Sequence, residues 1–119
     1  MIYLTRRERF SSAHKLENKN LSLKENEEIF GKCLNLHGHN YVLFVTVKGQ
    51  TKKKDGFVCD LKKLALVIKT HVINKLDHQF LNEVDFMQGR ITSTENLCIG
   101  IWQELEKRIY SELNCQLHC

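Results

Sequence analysis

Hydrophobic and polar residues are patterned so that the first half of the chain predicts strands and the second half predicts helices. Residues 2–13 open with β-favouring types set among charges, and residues 41–47 are rich in β-branched and aromatic side chains. Over residues 61–76 apolar side chains recur at helical spacing, and a second such stripe runs from 97 to 109. Each stripe favours a helix that packs one face against a sheet.

Polar residues at fixed offsets predict where the helices begin. Ser22 followed three residues later by Glu25 forms a possible capping box for a short helix. Asp60 is a good N-cap for the helix over 61–76, and either Thr92 or Ser93 can cap the last helix. These signals agree with the hydrophobic pattern.

Turn residues complete the expected order of elements. Residues 50–56 predict the turn of a hairpin, with Asp55-Gly56 before a strand at 57–59. Residues 114–119 are typical of a strand that has just begun. The order strand, strand, helix, helix, strand predicts an α+β domain with two helices on one face of an antiparallel sheet. A small sheet with free edges favours association with other copies.

Length and composition indicate one globular domain over residues 1–119. Of these, 42% are hydrophobic and 27% are charged, and no run approaches a membrane span. The net charge of +4 suits an anionic small molecule as well as a nucleic acid. Aromatic and basic residues are not interleaved as in RNA-binding proteins, so no nucleic-acid partner is expected.

The five cysteines point to a reducing compartment. Their number is odd and they form no C-x-x-C pair, which argues against a disulfide framework or a four-cysteine zinc module. Charged residues begin at Arg6, which leaves no room for a signal-peptide core. We therefore expect a cytoplasmic protein with no membrane partner.

Three histidines are the candidate metal ligands. In a strand with a period of two, His37 and His39 point to the same face, about 6–7 Å apart along the chain. His14, at the end of the first predicted strand, is the best third ligand. Three neutral imidazoles with one open position are typical of catalytic zinc sites. The alternative is that the H-x-H pair lies in a loop by chance.

Several short segments, in this order and spacing, resemble a known family over nearly the whole chain. The chain is similar to 6-pyruvoyl-tetrahydropterin synthases and their bacterial relatives, the 6-carboxytetrahydropterin synthases of queuosine biosynthesis. The segments are Phe10-Ser11-Ser12-Ala13-His14, Gly31-Lys32-Cys33 with His37-Gly38-His39-Asn40-Tyr41, Leu76-Asp77-His78, and Thr92-Ser93-Thr94-Glu95-Asn96 running to Ile101-Trp102.

The resemblance implies a fold and a reaction. The fold would be a tunnelling fold, in which units of this kind assemble through their sheets into a β-barrel, as a homotrimer or homohexamer. The substrate would be 7,8-dihydroneopterin triphosphate, and the enzyme would be a zinc-dependent carbon–oxygen lyase of tetrahydrobiopterin biosynthesis that releases triphosphate.

The resemblance also implies roles for individual residues. His14, His37 and His39 would hold Zn²⁺, which would act as a Lewis acid on substrate oxygens. Cys33, close to the metal, would be the thiolate that abstracts a carbon-bound proton.

The remaining implied roles concern proton relay and pterin binding. Asp77 and His78 would form a proton relay, supplied by a neighbouring subunit, in which the carboxylate fixes the imidazole tautomer. Thr94 and Glu95 would lie at the pterin pocket.

Two features depart from the family pattern and leave alternatives open. The short spacing from Cys33 to His37 resembles the bacterial 6-carboxy enzymes, whereas the insertion over residues 17–30 is more like the animal type. The family pattern continues past Cys119 with a last strand and a pterin-anchoring glutamate, so we expect the domain to be C-terminally incomplete. The alternatives are a 6-carboxytetrahydropterin synthase, a side-chain-cleaving pterin aldolase, and a non-catalytic zinc-binding truncated homologue.

Overall fold

Two long antiparallel strands form the centre of the protein. In the computed structural model, which describes residues 1–119, strand β1 (Ile2–His14) and strand β2 (His37–Gly49) each contain 13 residues. They pair along their whole length, from Ile2 opposite Gly49 to His14 opposite His37. The second strand therefore begins four residues earlier than the β-rich pattern over 41–47 indicated.

Shorter elements surround this pair. In chain order they are α1 (Leu23–Phe30), α2 (Leu61–Ile68), a π-helical turn (Lys69–Ile73), α3 (Asn74–Leu76), β3 (Gln79–Phe80), α4 (Thr94–Leu113) and β4 (Gln116–Leu117). Three 3₁₀ turns lie at Gly31–Leu34, Leu81–Glu83 and Asp85–Met87. None of the helices is both long and apolar enough to cross a membrane.

The sheet is mixed, which corrects the prediction of a purely antiparallel one. Its strand order is β3-β1-β2-β4, with β3 parallel to β1 and β4 antiparallel to β2. After β2 ends, the α2–α3 segment runs back towards the His14 end of β1, and β3 continues in that direction. Because β1 and β2 are antiparallel, a segment that runs back against β2 has the direction of β1, and β3 keeps that direction. The α+β class is confirmed, and β4 confirms the strand predicted near residue 114.

The helices cover one face of the sheet, as predicted. Along β1 the buried side chains alternate with more exposed ones from Phe10 to His14, and along β2 Val45 and Val47 are buried in the same way. The expected helical stripes supply the other side of the core. They contribute Leu64, Ile68, Val72 and Leu76 before β3, and Leu97, Ile101, Leu105 and Ile109 in α4.

The predicted helix starts are confirmed in detail. The Ser22 side chain accepts a hydrogen bond from the Glu25 amide, and the Glu25 carboxylate accepts one from the Ser22 amide, which completes the capping box. Asp60 accepts from the first amides of α2. Of the two candidates for α4, Ser93 is the cap, and its hydroxyl accepts from the Asn96 amide.

The hairpin predicted at residues 50–56 is wrong. The segment turns back on itself, with the Gly56 amide bonded to the Lys52 carbonyl and the Lys52 amide to the Phe57 carbonyl. The turn signal at Asp55-Gly56 was correct, but no strand follows at 57–59. Asp60 begins a helix immediately, so the buried residues Val58 and Cys59 join the core without pairing in the sheet.

Two isoleucines of α4 provide a matched test of this packing. Ile109 is fully buried, whereas Ile99 is 49% exposed. We expect Ile109→Ala to lower the free energy of unfolding by about 2–5 kcal/mol, because it leaves a cavity in the core. Ile99→Ala should change it by no more than about 0.5 kcal/mol. Denaturant unfolding measures both, and equal losses would contradict a helix that turns Ile109 to the core and Ile99 to solvent.

Candidate metal centre

The three predicted histidines meet where β1 ends and β2 begins. His14 lies opposite His37 in the antiparallel register, and His39 lies opposite Ser12, two residues back from His14. Their ring centroids are 4.6 Å (His14–His37), 5.1 Å (His14–His39) and 4.9 Å (His37–His39) apart. One nitrogen from each ring lies within 4.8 Å of the others. The structure thus brings together a possible three-nitrogen metal site.

His14 is oriented for a metal ion by its hydrogen bond. Its Nδ1 lies 2.8 Å from the Thr92 carbonyl oxygen, which can only accept, so Nδ1 carries the proton. The lone pair is then on Nε2. This atom is buried and has no hydrogen-bond partner, although buried polar atoms are normally paired. An unpartnered lone pair facing two other imidazoles fits a bound cation.

His37 carries its proton on the same ring nitrogen as His14, and His39 is the third histidine of the cluster. The His37 Nδ1 donates to the Asn35 carbonyl at 2.7 Å, which leaves its Nε2 free to bind. His39 packs edge-on to Tyr41 at 5.8 Å, and Tyr41 stacks on Phe10 at 4.8 Å. Fixing one ring nitrogen with a carbonyl while the other ligates is the usual arrangement in metalloproteins.

The electrostatic surroundings keep His14 neutral. Burial lowers its pKa, the hydrogen bond to Thr92 opposes this, and the nearby His37 and His39 lower it further. Only the neutral imidazole can offer a lone pair to a metal. The site therefore favours the protonation state that metal binding requires.

Asp77 and His78 form a second polar group close to β1. The Asp77 carboxylate accepts from the Ser11 amide at 2.9 Å, and its Oδ1 lies 3.1 Å from Nδ1 of His78. The hydrogen bond from the Ser11 amide is the main cause of the lowered pKa of Asp77, and His78 lowers this pKa further. The His78 amide in turn donates to the Ser11 carbonyl at 2.6 Å. This exchange holds His78 at φ 58°, an uncommon conformation for a non-glycine residue.

An open groove runs along the sheet beside His78. It has a volume of about 600 Å³ and lies between His39 on one side and His78 on the other. Its floor includes Gly38, where an added Cβ would come within 3.3 Å of the Ser12 carbonyl oxygen. The imidazole of His78 is 83% exposed. Of the three clustered histidines, only His39 lines this groove.

The other predicted site residues lie around the same end of the sheet. Cys33 is exposed on the 3₁₀ turn, and its carbonyl accepts from the Leu16 amide at 2.8 Å, two residues past His14. Its sulfur is not part of the three-histidine cluster. Thr94 and Glu95 are exposed in the first turn of α4, directly after the segment that binds His14.

Sequence reasoning did not identify the groups that hold the ligands in place. The sequence marks Thr92 only as a candidate helix cap, yet its carbonyl orients His14 and its hydroxyl donates to the Lys15 carbonyl. The carbonyl of Asn35 and the backbone of Ser11 have similar positioning contacts. Most of these groups are backbone atoms, which no residue type reveals.

Comparisons with known proteins agree on one family. The family described as 6-pyruvoyl tetrahydropterin synthase matches residues 3–119. The chain is similar to "6-pyruvoyl tetrahydrobiopterin synthase" from Dictyostelium discoideum, 50% identical over 105 residues, which are 87% of this chain and 78% of that protein. The human protein of the same name is 38% identical over 107 residues, covering 87% and 74% respectively.

Two further comparisons concern the fold and the bacterial branch. A solved structure of Caenorhabditis elegans 6-pyruvoyl tetrahydropterin synthase superimposes with a TM-score of 0.84 at 37% identity, covering 89% of this chain and 77% of that one. A 6-carboxy-5,6,7,8-tetrahydropterin synthase from Aquifex aeolicus is 34% identical over 82 residues, which are 65% of this chain and 50% of that protein. The similarity to the 6-pyruvoyl proteins is the more extensive.

Removal of one ligand should abolish metal binding. We expect the protein to bind one divalent metal ion per chain and His37→Ala to lose it on dialysis, because two imidazoles cannot hold it as three do. His118→Ala is the control, since His118 is exposed and packs on Tyr3 away from the cluster. Mass spectrometry of the dialysed proteins measures the metal content. A His37→Ala protein that keeps one metal ion per chain would contradict the three-histidine site.

Proposed function

Because the chain belongs to the 6-pyruvoyl tetrahydropterin synthase family, we propose that it converts 7,8-dihydroneopterin triphosphate to a 6-pyruvoyl tetrahydropterin with loss of triphosphate. The enzyme would be a carbon–oxygen lyase of tetrahydrobiopterin biosynthesis. One structural observation carries this proposal: the buried, unpartnered Nε2 of His14 lies within a cluster of three imidazoles. The names of the relatives support the choice of substrate class.

Zinc is the proposed metal, bound by His14, His37 and His39. The three ligands are neutral nitrogens, a set that suits zinc among the common metals and leaves a position for substrate. When bound, the ion supplies Lewis-acid polarisation of the hydroxyl and carbonyl oxygens of the substrate side chain. The hydrogen bonds from His14 to Thr92 and from His37 to Asn35 keep both rings in the ligating tautomer.

Cys33 is the proposed base. It is an exposed thiol on the connection between β1 and β2, and its backbone is bonded to Leu16, close after His14. A thiolate at this position can take a proton from a side-chain carbon of the substrate. Loss of triphosphate by elimination requires such a proton to be removed, which a purely binding protein would not need.

Asp77 and His78 are the proposed proton relay. The carboxylate of Asp77, held by the Ser11 amide, accepts from Nδ1 of His78 and leaves Nε2 free to exchange a proton with the substrate. The strained backbone of His78 is maintained by its bond to Ser11, as is common where geometry serves a reaction. Thr94 and Glu95, exposed at the start of α4, are the proposed contacts to the pterin ring.

Association of several copies is part of the proposal. On their outer edges, β1 pairs at Ser12 and Ala13, and β2 is bonded from Thr46 to Lys48, so most of both edges is open. Open strand edges favour pairing with another copy. We propose a homotrimer or homohexamer of the tunnelling-fold type, in which the exposed His78 faces a site on a neighbouring copy.

The main alternative within the family is the 6-carboxy product of queuosine biosynthesis. The short spacing between Cys33 and His37 favours it, whereas the more extensive identity to the 6-pyruvoyl proteins favours the leading proposal. The alternative from another functional class is a zinc-binding homologue that is not an enzyme.

Product analysis is the direct test of the function. Incubation with 7,8-dihydroneopterin triphosphate and Zn²⁺ should give a 6-pyruvoyl tetrahydropterin and free inorganic triphosphate, identified by mass spectrometry and phosphate analysis. A 6-carboxy pterin would replace the leading proposal with the queuosine-type reaction. Metal binding without any change in the substrate would indicate the non-catalytic homologue.

Substitution of the proposed base separates catalysis from metal binding. Cys33→Ala should reduce turnover by about 10²–10⁴-fold, the usual contribution of one general base, and should retain the metal because the three histidines are intact. Cys98→Ala is the matched control, since Cys98 is also an exposed thiol and lies on α4. Near-normal turnover of Cys33→Ala would assign the proton abstraction to another group, with His78 the first to examine.

Sedimentation tests the proposed association. At micromolar concentration the protein should sediment as a trimer or hexamer, because the open edges of β1 and β2 are then paired. Val42→Lys, on the exposed face of β2, should weaken the assembly if that face is covered between copies. A stable, fully active monomer would contradict both the assembly and the contribution of a neighbouring His78.

A further inference from the structure

Two cysteines outside the proposed site lie side by side in the core. Cys59 immediately precedes the cap of α2, and Cys115 immediately precedes β4. Their side chains are 3% and 6% exposed, whereas the other three cysteines are exposed. The two thiols are close enough to interact with each other. Residues far apart in the sequence thus form a buried thiol pair that the proposed reaction does not use.

The surroundings of the pair confirm that the two segments meet. A Cβ added at Gly49 would lie 3.0 Å from Cγ1 of Val58 and 3.8 Å from Cβ of Cys115. The side chains of Val58, next to Cys59, and of Cys115 therefore both lie over this glycine at the end of β2. The ammonium of Lys52 donates to the Val58 carbonyl at 3.0 Å. Lys52 is also the nearby positive charge that both thiols experience.

We infer that Cys59 and Cys115 are a site of reversible oxidation. The two cysteines form an intramolecular disulfide, and a small-molecule disulfide such as glutathione disulfide is the oxidant. The inference rests on their proximity, on their shared burial and on the separation of the two segments they would join. It is independent of the proposed pterin reaction. No other two cysteines of the chain are buried together.

The reaction proceeds in two balanced steps. The Cys59 thiolate attacks one sulfur of the oxidant, forming a mixed disulfide and releasing one small thiol. The Cys115 thiolate then attacks the Cys59 sulfur and releases the second small thiol, so the protein loses two hydrogens and the oxidant is reduced to two thiols. Cys59 acts first because it also lines an apolar groove at the surface, with Ile2 and Phe57.

Burial determines when this oxidation occurs. It raises the pKa of Cys59, and it raises that of Cys115 to about 12, while the charge of Lys52 opposes both shifts. Few thiolates are therefore present in the closed fold, and the reaction requires local opening. β4 has only two residues and Cys59 lies in a segment without regular structure, so such opening is limited to this end of the sheet.

The disulfide would tie β4 to the segment before α2. β4 pairs with β2 at Val47 and Lys48. Just beyond it, the Thr46 amide donates to the Cys119 carbonyl and the Thr46 carbonyl accepts from the amides of His118 and Cys119. A covalent link at Cys115 restrains this short strand and closes a long loop in the unfolded chain. Such a link should raise Tm by an amount on the order of 10 °C.

A protein that retains only the two buried cysteines tests the inference. In Cys33→Ser/Cys98→Ser/Cys119→Ser, treatment with glutathione disulfide should remove the mass of two hydrogens and raise Tm, with both changes reversed by a reducing thiol. Adding Cys59→Ala or Cys115→Ala to this background provides matched controls, in which neither change should occur. Amide exchange of β4 should slow only in the oxidised form.

The unaltered protein provides a second, independent measurement. Peptide mapping without reduction, after the same treatment, should recover a cross-linked peptide containing Cys59 and Cys115. The inference is overturned if both cysteines stay reduced in the folded protein while the exposed thiols react. It is overturned equally if the recovered disulfides join other cysteines, or if the oxidised pair leaves Tm unchanged.

Discussion

The antiparallel register of β1 and β2 is the constraint on which the rest of the structure depends. A strand presents alternate side chains to one face, so His37 and His39 share a face whatever their partner. Their position relative to His14 is fixed only because the pairing places His14 opposite His37. A shift of the β1–β2 register by one residue would move His14 to the other face of the sheet and separate it from His37 and His39.

This register is maintained by the core at one end and by polar contacts at the other. Val45 and Val47 are buried on the same face as the histidines, so slippage would expose them. Towards the site the apolar packing gives way to hydrogen bonds, such as those from His14 to Thr92 and from Ser11 to Asp77. The folded core therefore determines where the strands lie, and the backbone carbonyls determine how the ligands point.

The sequence predicted the features that depend on local chemistry and missed those that depend on long-range pairing. The period of two sufficed for His37 and His39, and cap chemistry sufficed for Asp60. The parallel attachment of β3 depends on the direction in which a helix returns, which no local signal encodes. The turn signal at Asp55-Gly56 was correct, yet the helix that begins at Leu61 left no length for a strand.

The π-helical turn Lys69–Ile73 sets the rotational phase of everything between it and β3. Successive residues of an α-helix are displaced by about 100° around the axis, and a wider turn absorbs one residue more than a regular turn would. The carbonyl of Leu76, which accepts from Ser12, and the carboxylate of Asp77 both lie downstream of it. The number of residues in this segment therefore determines the direction in which Asp77 points. A segment one residue shorter would span nearly the same distance but would turn Asp77 away from β1.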